Sequence, residues 1–198
     1  MKSYNDIVYN KYEYNEQKTY ITLGINVGVC TKYFLINGKE VFYCNLAFAN
    51  ILASYIKKIS DINLKINVDR TISTYTYILD NQTKKISEAM ITVLRNIFEI
   101  QPDKEIFENV KKESIDRFKK VYKNGEFRGF YKAFEYADLN KEFKLLELVQ
   151  GLEQITFEEF YECYSKVCVP DNACLYVNGA LCDIDDEVVL EINEILNK

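Results

Sequence analysis

Between Ile21 and Phe98 the spacing of the apolar residues switches twice from the two-residue period of a strand to the 3.6-residue period of a helix, a pattern few folds accommodate. Ile21, Leu23, Ile25, Val27 and Val29 alternate with Thr22, Gly24, Asn26 and Gly28, as in a strand with one buried face. A strand over residues 6–14 is expected to pair with it. After a turn at Asn37 and Gly38, the residues Cys44, Phe48, Ile51, Leu52, Tyr55 and Ile59 recur at helical spacing. Alternation returns with Leu64, Ile66 and Val68, and residues 71–79 are dense in β-branched and aromatic side chains, so two further strands are expected. Ile86, Ala89, Met90, Val93, Leu94, Ile97 and Phe98 then trace one face of a second helix, which Pro102 ends.

The second half is mostly helical. Residues 103–123 read as a lysine-rich, solvated helix with sparse apolar positions at Phe107, Val110, Phe118 and Val121. The chain turns around Gly125, and residues 130–150 form one or two helices. Thr156 caps a short helix carrying Phe160, Tyr161 and Tyr164, with Glu159 at the capping-box position. A turn at 170–172, a strand at 173–178 and a last helix at 184–196 complete the order. Strands and helices in blocks predict an α+β fold, with helices packed on one face of a largely antiparallel sheet. With 198 residues, 48% hydrophobic and 28% charged, the chain can bury a core as one domain over residues 1–198.

Several function classes are excluded early. The sequence contains no histidine, so it supplies neither a His-ligated metal nor a Ser-His-Asp triad. A net charge of −5, with Lys and Glu interspersed, argues against nucleic acid. The longest uncharged run, residues 41–56, includes Asn45, Asn50 and Ser54 and is too short to span a membrane. Residues 1–18 are polar and show no signal-peptide pattern, and Cys30, Cys44, Cys163, Cys168, Cys174 and Cys182 include no Cys-x-x-Cys. A cytoplasmic protein with reduced, mostly buried thiols is expected.

The segment GLEQITFEEFYECYSKVCVPDNACLYVNGALCD resembles the closing segment of domains in the pitrilysin/insulinase and mitochondrial-processing-peptidase family of zinc peptidases. The likeness rests on Gly151, Ile155, Thr156, Phe160, Tyr164, Pro170, Asn172, Ala173, Leu175, Val177, Gly179 and Asp183, the last gap being one residue longer than usual. The resemblance implies a domain that normally occurs in pairs, closing like a clamshell around an extended peptide. In active members the first long helix carries His-x-x-Glu-His, whose spacing sets two imidazoles and a general base on one face around zinc, and a later helix adds a Glu. Here the first helix reads GKEVFYCNLAFANILASYIKK, without histidine and without an acidic residue between Glu40 and Asp61, and the later helix places Phe118 where the carboxylate belongs.

Other candidate chemistry is weak. Glu113 and Asp116 sit on a lysine-rich helix suited to solvated pairing. Gly24-x-x-x-Gly28 lacks the Lys-Ser/Thr of a phosphate loop and suits close backbone approach or a bulge. The resulting expectation is a non-catalytic substrate-binding or structural subunit of a heteromeric, peptide-processing zinc peptidase. It would bind no cofactor itself; a similar domain carrying His-x-x-Glu-His would supply zinc and general base, and this chain would offer a strand edge to the peptide. The alternative is a free-standing peptide-binding or scaffold module with no role in proteolysis. The family resemblance further implies that Arg70 and Tyr77, in VDRTISTYTYIL, contact the substrate carbonyl, although the segment also resembles the metal-bearing half, where no such pair is needed. A turn arginine and a packed tyrosine would fit the same positions.

Overall fold

In the computed structural model, which describes residues 2–4, 7–13, 18–36, 40–80, 86–137, 144–179, 190–192 and 194–195, the alternating segment runs through the interior of a six-stranded sheet. The elements in chain order are β1 (Lys2–Tyr4), β2 (Ile7–Glu13), β3 (Lys18–Ile25), β4 (Tyr33–Ile36), β5 (Glu40–Tyr43), α1 (Phe48–Ile59), β6 (Leu64–Val68), β7 (Ser73–Asp80), α2 (Ile86–Phe98), α3 (Lys104–Lys123), α4 (Gly125–Ala137), α5 (Leu145–Gln154), α6 (Phe157–Val167), a 3-10 turn (Pro170–Asn172) and β8 (Ala173–Gly179). The sheet order is β1-β2-β8-β3-β7-β6, antiparallel throughout except for the β2–β8 pair, while β4 and β5 form a separate hairpin. The fold is the expected α+β arrangement.

Register builds the core. Leu23 lies opposite Tyr75 on one side and Leu175 on the other, and Ile21 lies between Tyr77 and Val177. Ile21, Leu23, Tyr75, Leu175 and Val177 are all buried, on the face that the helices cover. The intervening residues present a polar face, where Thr22 and Thr76 join their hydroxyls at 2.9 Å and Tyr176 is exposed. On the helical side Phe160 gathers the rings of Phe48, Tyr55 and Phe107, with centroids 5.7, 5.4 and 5.1 Å away. Two buried phenols find backbone partners: Asp103 N–H donates to Tyr55 Oη at 2.7 Å, and Tyr164 Oη donates to the Ile97 carbonyl at 2.7 Å.

Four expectations are corrected. The strand within residues 6–14 pairs with β8 and not with β3. The reason is that β8 itself carries alternating apolar residues, which match β3 in register and take the place beside it. Next, β3 ends at Ile25 although the alternation continues, because Asn26 N–H donates to the Asn172 carbonyl and Val27 N–H to the Ile25 carbonyl, which leads the chain off the ladder. Val27 stays buried there, so the extended pattern reports burial without a strand. Then, where only a turn was expected, β4 and β5 form a hairpin; its turn at Asn37 and Gly38 lies outside the described residues. Finally, α4 begins at Gly125 itself, where Asn124 Oδ1 accepts from the Glu126 and Phe127 N–H groups, and α5 runs through Gly151. A Cβ on Gly151 would stand 2.7 Å from Asn45 Oδ1, so glycine lets α5 close on the turn that starts α1.

The α6 capping box forms as expected, with Thr156 Oγ1 accepting from Glu159 N–H and Glu159 Oε2 accepting from Thr156 N–H. Of the expected last helix, residues 190–192 and 194–195 are described and helical, with Ile192 and Ile195 buried. The rest of it, and Asp183, lie outside the described residues.

Candidate functional site

The bend between β6 and β7 is held by backbone. Val29 N–H donates to the Asp69 carbonyl at 2.9 Å, Cys30 N–H to the Arg70 carbonyl at 2.8 Å, and Asp69 N–H to the Ile72 carbonyl at 2.9 Å. Asp69 Oδ1 accepts from Arg70 N–H at 2.7 Å, closing the bend from within. This packing requires the glycine before Val29, since a Cβ at Gly28 would stand 2.3 Å from the Asp69 carbonyl oxygen and 2.5 Å from that of Arg70. Gly28 is therefore a site of close backbone approach, as the sequence suggested, although it lies past the end of β3.

Held in this way, Asp69 and Arg70 form one side of an open cleft of about 220 Å³. Val29 and Val68 continue that side, α1 contributes Asn50, and α3, α4 and α5 contribute Phe118, Phe130, Tyr131 and Leu148. The aromatic wall is itself packed, Phe130 edge-on to Tyr131 and Phe127 against Tyr131 with centroids 4.3 Å apart. Burial raises the Tyr131 phenol above its ordinary range, so it is neutral at physiological pH. Asn50 Nδ2 is buried and finds no hydrogen-bond partner among the described residues, which leaves a donor without an acceptor at the cleft.

The donor set does not fit zinc. In the first turn of α1 the i, i+3 and i+4 positions are Phe48, Ile51 and Leu52, all fully buried in the core. Phe118 faces the cleft with a ring, and the one carboxylate lining it among the described residues, Asp69, accepts a backbone N–H. Among the described residues no three His, Cys, Asp or Glu side chains come together as a metal site. Zinc requires several thiolate, imidazole or carboxylate donors, which an amide, a guanidinium and a phenol do not supply.

Of the two residues singled out in the sequence, Arg70 lines the cleft and Tyr77 does not. Tyr77 sits in the core-facing row of the sheet, opposite Ile21 and Leu64. Phe118, marked in the sequence as standing where the later-helix carboxylate belongs, also lines the cleft, whereas Asn50, Phe130, Tyr131 and Leu148 were not marked in advance. Asn50 was visible only as a polar interruption of the run 41–56, and Phe130 and Tyr131 only as aromatics in a helical stretch. Glu113 pairs with Lys58 at 2.6 Å on the exposed side of α3, a surface pairing of the kind expected, although with a lysine on α1.

No family model and no curated protein matches the sequence. Solved structures do match. The M16-like peptidase from Alicyclobacillus acidocaldarius superposes with a TM-score of 0.77 at 17% identity, over 98% of this chain and 48% of that one. The first half of the periplasmic protease PqqL from Escherichia coli gives a TM-score of 0.71 at 14% identity, over 98% and 44%. A peptidase M16 inactive domain from Pseudomonas fluorescens gives 0.72 at 9% identity, over 97% and 49%. At these identities the likeness is one of fold, the α+β fold of the halves of these M16 peptidase structures. The chain spans about half the length of these proteins.

Proposed function

We propose that this chain is the non-catalytic, substrate-holding or structural half of a two-part zinc peptidase. The partner is a similar domain whose His-x-x-Glu-His binds zinc and activates water; this chain binds no zinc. The observation that carries the reading is the cleft itself. It lies where α1, α3 and the end of β6 meet, and it is lined by an amide, a guanidinium and aromatic rings that suit a peptide and not a metal. Among the described residues β6 has one neighbour, β7, so its other side offers backbone groups to which an extended peptide can add as a strand. A peptide lying there would run past the cleft, where the rings accept an apolar side chain and Asn50 Nδ2 supplies a hydrogen bond to a carbonyl.

Arg70 is proposed to reach the substrate carbonyl in the assembled enzyme and to stabilise the charge that develops on it, whereas Tyr77 packs against the core. The Cys30, Cys44, Cys163, Cys168 and Cys174 thiols suit a reducing cytoplasm. Among the described residues no helix is long and apolar enough to cross a membrane.

The deciding experiment is co-expression with a homologous domain that carries His-x-x-Glu-His, followed by size-exclusion chromatography, metal analysis and a peptide-cleavage assay. Zinc should reside in the partner, and turnover should require both chains. Arg70→Ala should lower turnover by ~10²-fold with assembly intact, the size of a lost oxyanion donor, and Tyr77→Phe should leave it unchanged. Stoichiometric zinc in this chain alone, or full activity of the partner alone, overturns the reading. The scaffold alternative draws on the hairpin, where Tyr33, Leu35, Val41 and Tyr43 are all exposed on one face. It predicts association without any change in turnover.

A further inference from the structure

The peptide-holding reading leaves open which side chain the cleft takes, and the lining of that cleft narrows the choice. At about 220 Å³ it is smaller than the ~300–1,000 Å³ of a pocket for a whole small molecule, so it suits one side chain of a longer ligand. Its charges come as a pair of opposite sign, Asp69 and Arg70, on the same side. A carboxylate entering there gains from Arg70 and loses to Asp69, and a basic group does the reverse. Neither sign therefore finds a net attraction to offset its desolvation, and a neutral side chain is favoured.

The opposite wall selects shape. Phe130 is 65% exposed and lies edge-on to Tyr131 with centroids 5.6 Å apart, so its ring still offers surface to a further ring. Phe118 and Leu148 continue this apolar wall, and burial keeps the Tyr131 phenol uncharged at physiological pH. Rings packed edge-on or offset gain beyond the area they bury, which favours an aromatic side chain over an aliphatic one.

One polar demand remains. Asn50 is half-buried, and its Nδ2 has no hydrogen-bond partner among the described residues. Ser114 Oγ, on the α3 helix that packs against α1, is also buried without one, so the seam between the two helices does not satisfy the amide from within. An amide donates and accepts more than once, and a main-chain carbonyl of the bound strand fills only one of its places. A ring without a polar atom would bury the others unmet. A phenol hydroxyl both donates and accepts, so it meets the amide whichever way the amide is turned about its last bond.

We infer that the cleft is a specificity pocket for tyrosine, and that Asn50 is the residue that distinguishes tyrosine from phenylalanine. The inference rests on the peptide-holding reading, but it concerns the side chain chosen and not the strand that carries it.

The test is a titration of the isotope-labelled full chain with acetylated, amidated pentapeptides that differ only in a central tyrosine, phenylalanine or glutamate. The readout is the NMR shift of the Val29, Val68 and Leu148 methyl groups and of the Asn50 side-chain amide. The tyrosine peptide should bind about tenfold more tightly than the phenylalanine peptide, the size of a buried donor left unmet, and the glutamate peptide more weakly than both. In Asn50→Leu the two aromatic peptides should bind alike, whereas Phe130→Ala, at an exposed ring, should weaken both and keep their ratio. Equal binding of tyrosine and phenylalanine by the wild type, a preference that survives in Asn50→Leu, or tightest binding of glutamate overturns the inference. The wild-type ratio decides even where Asn50→Leu fails to fold. Equal binding would leave the peptide-holding reading standing, whereas no shift with any of the peptides would remove both. Because no cleavage is measured, a zinc partner that proves active alone leaves a tyrosine preference intact.

Discussion

At the scale of single residues, position 28 is decided by backbone contact. The nearest atoms to a Cβ there are main-chain atoms of Asp69 and Arg70, which cannot rotate away. Gly28→Ala is expected to cost ~1–3 kcal/mol through overpacking and to lower the midpoint of a thermal melt. Gly125→Ala is the control: nothing lies within 4 Å of its Cβ position, so the melt should hold or rise by ~0.4–1 kcal/mol. Equal melting of both variants would mean that the bend carrying Arg70 is not pinned from Gly28. The sequence suggested close backbone approach at Gly28 but not its partners, which lie some forty residues away. Asn50 was hidden for a similar reason, since a buried amide among apolar helix residues shows its role only when the facing elements are known. Glu147 offers a pH test. The bond from Lys144 first, and then Lys32 at 3.1 Å, hold its carboxyl below the ordinary carboxylate range. A depressed folded-state pKa means stability that is present above the unfolded value and lost as pH falls through the folded one. The Lys32 pair is 33% exposed on both sides, so its contribution is no more than ~1 kcal/mol. Glu147→Gln should therefore lower the melting midpoint slightly at neutral pH, and the difference should vanish as pH falls through the depressed folded-state value, in acid melts of both proteins.

At the scale of elements, legibility followed how fully a segment carried its own instructions. Helix α2 has an apolar stripe along one face, and α3 starts where Asp103 accepts from Ile106 N–H. In α6 the Thr156 and Glu159 bonds satisfy the first N–H groups locally, so the start was readable without knowing the fold. Thr156→Ala should cost ~1 kcal/mol by chemical denaturation, with an unchanged denaturant slope, because it removes a cap and leaves the Phe160 ring cluster in place. A loss several times larger would mean that α6 depends on that cap for its position and not only for its end. The β4–β5 hairpin failed the same reading for a physical reason. Phe34 and Phe42 pack inward while Tyr33, Leu35, Val41 and Tyr43 point outward, so both faces are apolar and no alternation of polarity marks the strands. Strand pairing was hidden too. Within the expected strand at 6–14, residues 7–13 are extended, but no pattern within them distinguishes β3 from β8 as a neighbour, and the choice is made by the closing strand.

At the scale of the whole molecule, the order β1-β2-β8-β3-β7-β6 sorts the strands by how many partners they have. Among the described residues the β2, β8, β3 and β7 backbones are bonded on both sides, whereas β6 is bonded only to β7. Amide exchange should follow that order, slowest in β3 and β8 and faster in β6, because an edge strand opens by small local fluctuations without unfolding the core. The proposed function adds a second expectation. If an extended peptide adds to β6, the outward N–H groups of Leu64–Val68 gain partners, and their exchange should slow in the presence of a pool of unstructured peptides. Protection in β3 and β8 should not change. The bend at Asp69 and Arg70 and the aromatic wall at Phe130 and Tyr131 should slow together with β6, since they border the cleft that the added strand would pass. The measurement is hydrogen–deuterium exchange by mass spectrometry on this chain alone, so it does not depend on finding the catalytic partner. Protection that appears on the exposed face of β4 and β5, with β6 unaffected, would move the interaction surface to the hairpin and support a scaffold in place of a peptide-holding half.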